Sequence, residues 1–379
     1  MVKKICYVNP PILMKRPIAQ IAKLLSKDDK FKVSILTPRP AFKKRDKSLY
    51  YSELKGIEVV DYPCVTFNLQ SDWPIPSVSF LIKSIRALRK NDIIHIWVPF
   101  YISSTLLILL KGLFFRNKKL ILTMDTIPYY SFKMGGLTDT FFKMYYKTVG
   151  KLIFRIADWV TVYGESFRKY AKEAGIPLKK LIITPTGVDL KTKESNKDIR
   201  KEFNIPKDEK IVLFVGLLVP RKGIDLVIKT ASKLKETKTK FILVGDGPNR
   251  KEYEELVKTL DIKDKIIFTG FRSDIHNFYK EADLFFFPSR GEGLAGVIME
   301  AAAYSVPIIS SGIPGTEDII EKNVNGLLCS TESIAEYSKG IRRLLDDKEL
   351  RDKFTERLRQ KIRKDYNWKI NIEKFKELY

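Results

Sequence analysis

Residues 287–300 read FPSRGEGLAGVIME. They follow directly on an apolar run of strand type that begins at Leu284. A proline, a serine and two glycines then interrupt the run, which indicates a tight turn. From Leu294 to Ala303 most residues are good helix formers. The segment therefore predicts a strand, a turn and a helix, which is the repeating unit of a parallel α/β sheet.

Two carboxylates bracket the start of this predicted helix, Glu292 in the turn and Glu300 two turns along. Unpaired backbone N–H groups and the helix dipole make such a helix start favourable for an anion. Small residues there let a phosphate approach the backbone closely. Two acids beside an anion site suit a ligand with hydroxyl groups next to its phosphates, such as a nucleotide sugar. The alternative is an amphipathic helix with incidental acids.

The same alternation recurs on both sides of this segment. Strands that end in glycine-rich turns and lead into helices are typical of a doubly wound parallel sheet, which binds ligands beyond the carboxyl ends of its strands. In the C-terminal half the predicted strands are 211–215, 241–244, 266–268, 284–287 and 306–310. In the N-terminal half they are 5–8, 33–36, 57–60, 93–98, 120–123, 160–163 and 181–184. Helices are predicted at 17–25, 77–89, 101–115, 138–156, 166–174, 334–347 and 348–379.

Together these patterns resemble glycosyltransferase family 4, in the group of glycogen synthase and phosphatidylinositol mannosyltransferase. The family signature is two glutamates separated by seven residues, here Glu292 and Glu300. The resemblance covers essentially the whole chain and is most specific in the C-terminal half. It implies the GT-B fold, in which two Rossmann-like doubly wound α/β domains face a central cleft. It also implies a hexosyltransferase-type enzyme that uses a UDP- or GDP-sugar and retains the configuration at the anomeric carbon.

Three regions are expected from this resemblance and from a turn-rich, charged stretch near 186–196. Residues 1–190 would form the acceptor-binding domain, and 191–360 the domain that binds the nucleotide sugar. Residues 361–379 would form a helix that packs back on the N-terminal domain. We find no repeat of solenoid period and no low-complexity segment.

The resemblance also assigns roles to individual residues. Lys222 would bind the donor diphosphate as a point charge, and Arg221 either assists it or is a surface residue. Glu292 would accept hydrogen bonds from the donor sugar and Glu300 from the ribose. No Asp-x-Asp pair is placed for a metal, so we expect a metal-independent reaction without a cofactor, in which Lys222 and a helix dipole stabilise the leaving group. Other expected donor-binding residues are Gly216, Gly245, Phe271, Arg272, Leu294, Ala295, Gly296 and Val297.

The N-terminal half departs from the family pattern after its first strand. The family has a glycine-rich turn there, whereas residues 9–16 read NPPILMKR. Lys15 and Arg16 either replace the glycines as phosphate ligands or face lipid. In the C-terminal half, Leu217 stands where the family often has arginine, which leaves the diphosphate charge to Lys222 and Arg221.

Asp125 stands where most family members have a histidine. Its carboxylate would stabilise positive charge near the reacting carbon of the donor sugar, and we assign it a catalytic role beside Glu292 and Lys222. The alternative is that it caps the turn before Pro128. His95 is predicted to be a satisfied strand-end residue in preference to a base.

The formal net charge of +24 is the most unusual bulk property of the 379 residues. The basic residues are spread over most helices, and no nucleic-acid motif is found. An anionic membrane surface or a lysine-rich solvated surface therefore explains the charge better than nucleic acid does. Three scattered cysteines indicate a reducing compartment. We expect a cytoplasmic enzyme, with peripheral attachment to the inner face of the cell membrane left open.

The acceptor is weakly specified. Residues 128–147 mix aromatic residues, lysines and glycines, which is typical either of helix packing or of a surface for a glycan or polyprenyl-phosphate-linked acceptor. The uncharged stretch 93–110 is predicted to be a strand and a helix rather than a membrane span. Two rival functions remain at this point: a sugar-nucleotide epimerase of the same fold, and a catalytically inactive protein that binds sugar nucleotides or membranes.

Overall fold

The computed structural model describes residues 2–12, 14–39, 54, 56–65, 73–194 and 196–379. They form two compact units, Met1–Thr184 with Lys369–Tyr379, and Pro185–Trp368. The sequence predicts changes of domain at 190 and 361, whereas the units change at 184 and 368. Val188 is held in the second unit because its N–H donates to the carbonyl of Tyr366 over 2.8 Å.

The first unit is built on a parallel sheet of seven strands. Its apolar strands are buried, as both faces of a parallel sheet are covered by helices. All five residues of Ile93–Trp97 are buried, for example. The strands are β1 Lys3–Val8, β2 Phe31–Pro38, β3 Glu58–Tyr62, β6 Ile93–Trp97, β7 Lys119–Thr123, β8 Trp159–Val162 and β9 Leu181–Ile183, in the order β3-β2-β1-β6-β7-β8-β9, and β4 Cys64–Val65 pairs separately with β5 Ile75–Pro76.

The second unit repeats this plan with six strands. Its central strand has the sequence LFFF, and all four side chains are fully buried. The strands are β10 Lys210–Val215, β11 Thr239–Val244, β12 Ile266–Gly270, β13 Leu284–Phe287, β14 Ile308–Ser311 and β15 Leu327–Cys329, in the order β12-β11-β10-β13-β14-β15. The order reverses at β10, so the crevice between β10 and β13 is where a doubly wound sheet binds its ligand.

Helices connect the strands in both units. Those of the first unit are α1 Arg16–Leu25, α2 Ser79–Lys90, α3 Ile102–Phe114, α4 Gly136–Tyr145, α5 Lys151–Ile156 and α6 Arg168–Glu173, and a π-helical stretch, Tyr146–Gly150, joins α4 to α5. Those that follow are α7 Ile199–Glu202, α8 Ile224–Lys233, α9 Arg250–Thr259, α10 Ile275–Glu281, α11 Gly296–Ala303, α12 Ile334–Asp346, α13 Lys348–Asp365 and α14 Trp368–Leu378.

The predicted single helix 348–379 is wrong. The chain leaves the helical conformation at Tyr366, where φ is −125°, and resumes it in α14. A side chain at Gly187 would lie 2.7 Å from the backbone nitrogen of Trp368, so the two segments touch backbone to backbone at this break. Residues 369–379 then belong to the first unit.

Sequence patterns missed α7, α9, α10 and the short strands β4, β5 and β15. In α9 only Tyr253 and Val257 are buried, and two apolar positions are too few to show a helical repeat in the sequence. By contrast, the strand-helix interpretation of 93–110 is confirmed by β6 and α3. Among the described residues, no helix combines the length and the apolar character that crossing a membrane requires.

Candidate active site

The turn that follows β13 is fixed against the turn that follows β10. Gly223 has a φ of +70°, and a side chain there would lie 2.0 Å from the carbonyl oxygen of Pro288. Only glycine permits this approach. Arg290 strengthens the same junction, because its N–H donates to the Arg221 carbonyl over 2.7 Å. The sequence therefore brings Lys222 and Glu292 together through backbone packing.

Glu292 is the centre of a polar cluster at the carboxyl ends of β10 and β13. Its side chain is buried, and the residue is 8% exposed. Its Oε1 lies 2.7 Å from Nζ of Lys222, 2.6 Å from Oγ of Ser289 and 3.3 Å from Nη1 of Arg221. Arg221 also donates to the Gly291 carbonyl. We call Glu292, Lys222, Arg221 and Ser289 the Glu292 cluster.

The charges in this cluster do not cancel. Burial on its own would raise the pKa of Glu292, but the neighbouring Lys222 and Arg221 outweigh it and hold that pKa below its ordinary value. Glu292 is therefore ionised at neutral pH, and two cations share one carboxylate. The remaining positive charge can attract an anion such as a diphosphate.

Arg290 supports the cluster from outside. Its guanidinium binds the Asp225 carboxylate in a fork, at 2.8 and 2.9 Å, and also pairs with Glu332. Asp225 lies in the first turn of α8, so the fork ties the β13 turn to that helix. Sequence analysis missed Ser289 and Arg290. The signal available was their position in the quoted segment, three and two residues before Glu292.

Two further predicted residues, Gly216 and Gly245, lie in the turns after β10 and β11. Gly245 has a φ of +145°, and a side chain there would come within 1.9 Å of the Gly216 carbonyl oxygen. The two turns therefore pack with no room for a side chain between them. Their role in donor binding stays a prediction.

Helix α11 begins beside the Glu292 cluster. Ala295 is its N-cap, and a side chain built on Gly296 would meet nothing within 4 Å. Glu300 lies in α11, four residues after Gly296, and its carboxylate accepts a hydrogen bond of 3.1 Å from the Tyr279 hydroxyl. That hydroxyl is also 3.5 Å from the Val297 carbonyl, so Tyr279 orients the region predicted to bind phosphate and ribose. Leu294, the remaining predicted residue here, is half-buried.

Arg272 and Phe271, which the resemblance predicts to bind the donor, have different surroundings. Phe271 is exposed. The Arg272 guanidinium pairs with Asp274 at 2.8 Å and with Glu202, and it lies over the ring of Phe278. These contacts lower the pKa of Asp274 well below its usual range. Through these contacts Arg272 connects α7 to the start of α10. Its contact with the donor stays a prediction.

Asp125 belongs to the first unit and has its own polar cluster. Its Oδ1 accepts a 2.7 Å hydrogen bond from the Tyr163 hydroxyl, which in turn accepts one of 2.8 Å from Nε1 of Trp97. Its Oδ2 lies 2.9 Å from Nζ of Lys15. We call these residues the Asp125 cluster. Lys15 thus pairs with a carboxylate, a contact that the sequence did not predict.

His95 is a satisfied buried residue, as predicted. Nδ1 lies 2.7 Å from the Tyr379 hydroxyl, and Nε2 lies 2.7 Å from Oγ1 of Thr123. Burial lowers the pKa of His95 well below its ordinary value, so the ring is neutral. The Tyr379 hydroxyl also contacts that of Tyr7 at 2.5 Å, which anchors α14 on the sheet.

Comparison with known proteins gives a consistent result. The family profile "Glycosyltransferase Family 4" matches residues 15–192, and "Glycosyl transferases group 1" matches 195–361. An uncharacterised glycosyltransferase of Methanocaldococcus jannaschii is 26% identical over 96% of this chain and 93% of its own length. The UDP-Gal:alpha-D-GlcNAc-diphosphoundecaprenol alpha-1,3-galactosyltransferase of Escherichia coli is 28% identical over 58% of this chain and 59% of its own length.

Solved structures show the same fold. HepE of Anabaena, in complex with UDP and glucose, superposes with a TM-score of 0.79 at 18% identity, covering 99% of each chain. Sucrose-phosphate synthase of Thermosynechococcus elongatus gives the same TM-score at 21% identity, over 100% of this chain and 98% of the other. With its two parallel-sheet α/β units and two family matches, the chain is a glycosyltransferase of the GT-B type and belongs to glycosyltransferase family 4.

Proposed function

We propose that the protein transfers a sugar from a nucleoside-diphosphate sugar to a hydroxyl acceptor, without a metal and with retention at the anomeric carbon. The Glu292 cluster carries this proposal. It combines a buried, ionised carboxylate, suited to sugar hydroxyls, with two cations and a helix N-terminus, suited to a diphosphate. UDP is the first donor nucleotide to test, because HepE was solved with UDP and glucose, and GDP is the second.

In the proposed reaction the bond between the anomeric carbon and the β-phosphate oxygen breaks, and a bond to the acceptor oxygen forms on the same face. The acceptor proton passes to the departing phosphate oxygen. Lys222 and the N-terminus of α11 stabilise the negative charge that develops on the leaving group. Asp125 stabilises positive charge on the donor sugar, and Tyr163 and Lys15 orient its carboxylate.

The proposed acceptor is a glycan or a polyprenyl-phosphate-linked sugar on an anionic, cytoplasmic membrane surface. The name of the Escherichia coli relative describes an acceptor linked to diphosphoundecaprenol. The charge of +24 supports an anionic acceptor or surface. Nucleic acid is not part of the proposal.

Donor binding can be tested by thermal shift and calorimetry with UDP-sugars, GDP-sugars and the free nucleotides. A ligand that binds only the native state raises the melting temperature. Glu300→Gln keeps the size of the side chain and should weaken donor binding by about 1–3 kcal/mol, as expected for the loss of a charge-assisted hydrogen bond to ribose.

Glu255→Gln is the matched control, since Glu255 lies on the exposed side of α9, outside the predicted site. Equal donor affinity in the parent and in Glu300→Gln would remove Glu300 from the site. Conversion of the donor sugar without any acceptor would identify an epimerase instead, and donor binding without either reaction would indicate an inactive sugar-nucleotide-binding protein.

A further inference from the structure

Helices α3, α4 and α5 form one continuous layer on the sheet of the first unit. A side chain on Gly112 of α3 would lie 2.9 Å from the Ile156 side chain of α5, so these helices are in close contact. Lys111 of α3 also donates to the Ile156 carbonyl over 3.4 Å. At the other end, the Tyr145 hydroxyl of α4 donates to the carbonyl of Pro99, just before α3.

The outer side of this layer exposes large apolar side chains. Leu137, Phe141 and Met144 are exposed by 88%, 46% and 60%, and their spacing places them on one side of α4. Leu113 and Phe114, at the end of α3, are exposed by 65% and 73%. Extended apolar patches on a protein surface mark interaction sites. Because Leu113 and Phe114 lie at the opposite end of the layer, where α3 meets α5, we call only Leu137, Phe141 and Met144 the apolar face.

Lysines run beside this face. Lys143, Lys147 and Lys151 are exposed and follow one another at intervals of four residues. Between residues 93 and 157 the chain has nine lysines and arginines but only two acids, Asp125 and Asp139. The positive charge is therefore local to this layer, which favours an anionic partner.

A basic recess lies just after the end of α3, at the opposite end of the layer from the apolar face. Its volume is 390 Å³, and it is lined by Arg116, Asn117, Lys118, Lys119, Asp158 and Trp159. Three cations and one acid give the recess a positive charge suited to a phosphate headgroup. An indole in its lining matches the preference of tryptophan for membrane interfaces.

We propose that the apolar face and its lysines bind an anionic lipid bilayer, with α4 lying in the plane of the interface. A protein partner would explain the exposed apolar residues, but a row of lysines beside an apolar ridge is the pattern of an interfacial membrane helix. The proposal rests on the proposed function and specifies the partner. Residues 126–135 connect Asp125 to α4, so both belong to the first unit, which the sequence predicts to bind the acceptor.

Vesicle sedimentation of the whole protein tests the proposal. The probes are vesicles of phosphatidylcholine and vesicles that contain phosphatidylglycerol in addition. We expect binding to the anionic vesicles, and we expect it to weaken as salt is added, since salt screens surface charge. The variant Lys143→Gln/Lys147→Gln/Lys151→Gln should bind at least about tenfold more weakly, because each lysine near an anionic surface contributes to binding.

The apolar residues need their own variant. Leu137→Ser/Phe141→Ser/Met144→Ser should also reduce binding at least about tenfold, because these side chains would insert into the interface. The matched charge control is Lys23→Gln/Lys27→Gln/Lys32→Gln, which removes the same charge from exposed positions on α1, in the turn after it and on β2. A right-handed crossover places α1 on the opposite face of the sheet, so this control should bind as the parent does.

Three results would overturn the proposal: no sedimentation of the parent with anionic vesicles, equal loss in the control, or self-association that the serine variant abolishes. The last result would assign the face to a second copy. Donor affinity measured without vesicles distinguishes failure here from failure of the proposed function, because the face contains none of the predicted donor-binding residues.

Discussion

The two polar clusters use the same chemistry in different surroundings. In the second unit, a lysine and a serine hydroxyl hold Glu292 at 2.7 and 2.6 Å. In the first unit, a lysine and a tyrosine hydroxyl hold Asp125 at 2.9 and 2.7 Å. Both carboxylates follow a buried strand. They differ because Glu292 contacts a second cation, Arg221, whereas within the described part of the chain Asp125 contacts one cation, Lys15.

This difference indicates that the two clusters have different roles in the proposed reaction. A carboxylate with two cations leaves positive charge for a diphosphate, whereas a carboxylate with one cation is locally neutral. We therefore expect the Glu292 cluster to act on the leaving group and the Asp125 cluster on the sugar. Each expectation can be tested by removing one lysine or one carboxylate at a time.

The largest effect is expected at Lys222. Lys222→Ala should lower turnover about a hundredfold or more, as for the loss of one preorganised electrostatic contact at the leaving group. Steady-state kinetics with EDTA and with added Mg²⁺ should give the same turnover for the parent. Lys15→Ala is the matched change in the other cluster and should have a smaller effect. Loss of parent activity in EDTA would contradict the metal-independent mechanism.

A smaller but diagnostic effect is expected at Asp125. Asp125→Asn should lower turnover by about tenfold or more while donor affinity changes little, since the interaction strengthens in the transition state. Tyr163→Phe keeps the carboxylate but removes its orienting hydroxyl, so it should show the same pattern more weakly. A folded Asp125→Asn variant with parental turnover would assign Asp125 to the turn, because asparagine caps turns as well as aspartate does.

The smallest expected effect is on the pH dependence of the free energy of unfolding. We compare the buried neutral ring of His95 with the buried charge of Glu292. Because the folded pKa of His95 is lowered, the unfolded chain binds a proton that the folded chain does not, below the unfolded pKa of about 6.5. Stability should therefore fall with pH below that value, by up to about 1.4 kcal/mol per pH unit. Urea unfolding of His95→Asn should show a shallower slope than the parent between about pH 6.5 and 5.

Glu292 provides the contrasting case. Its folded pKa is also lowered, so its stabilising contribution is present above the unfolded pKa of about 4.3 and is lost as pH falls through the folded value. Glu292→Gln should leave the slope above about pH 5 unchanged. If His95→Asn leaves that slope unchanged as well, another group is responsible for it.

The fold could be predicted from the sequence because apolar strands and glycine turns are local signals. The strand over 284–287 was predicted with the bounds observed. The alternation of strands and helices also predicted a doubly wound sheet, but the order of its strands comes from the structure. Helix α9 was missed since it buries two side chains, and the break at Tyr366 depends on a contact with Val188 that is remote in sequence.

The candidate site was predicted unevenly for the same reason. The contact of Lys222 with Glu292 joins two motifs of the resembled family, so both residues were identified in advance. The contact of Lys15 with Asp125 joins two positions where this chain departs from the family. The family pattern therefore gives no reason to expect that these two side chains are in contact. Ser289 was missed as well, because a serine in a turn is too common to indicate a buried hydrogen bond.

The return of residues 369–379 to the first unit has a consequence for synthesis on the ribosome. The sheet of that unit is translated first, but the side chain that contacts Tyr7 and His95 comes from Tyr379, after the whole second unit. Until then the nascent first unit has an uncovered slot lined by an aromatic ring and a histidine. The first unit can therefore be completed only after the whole second unit has been translated.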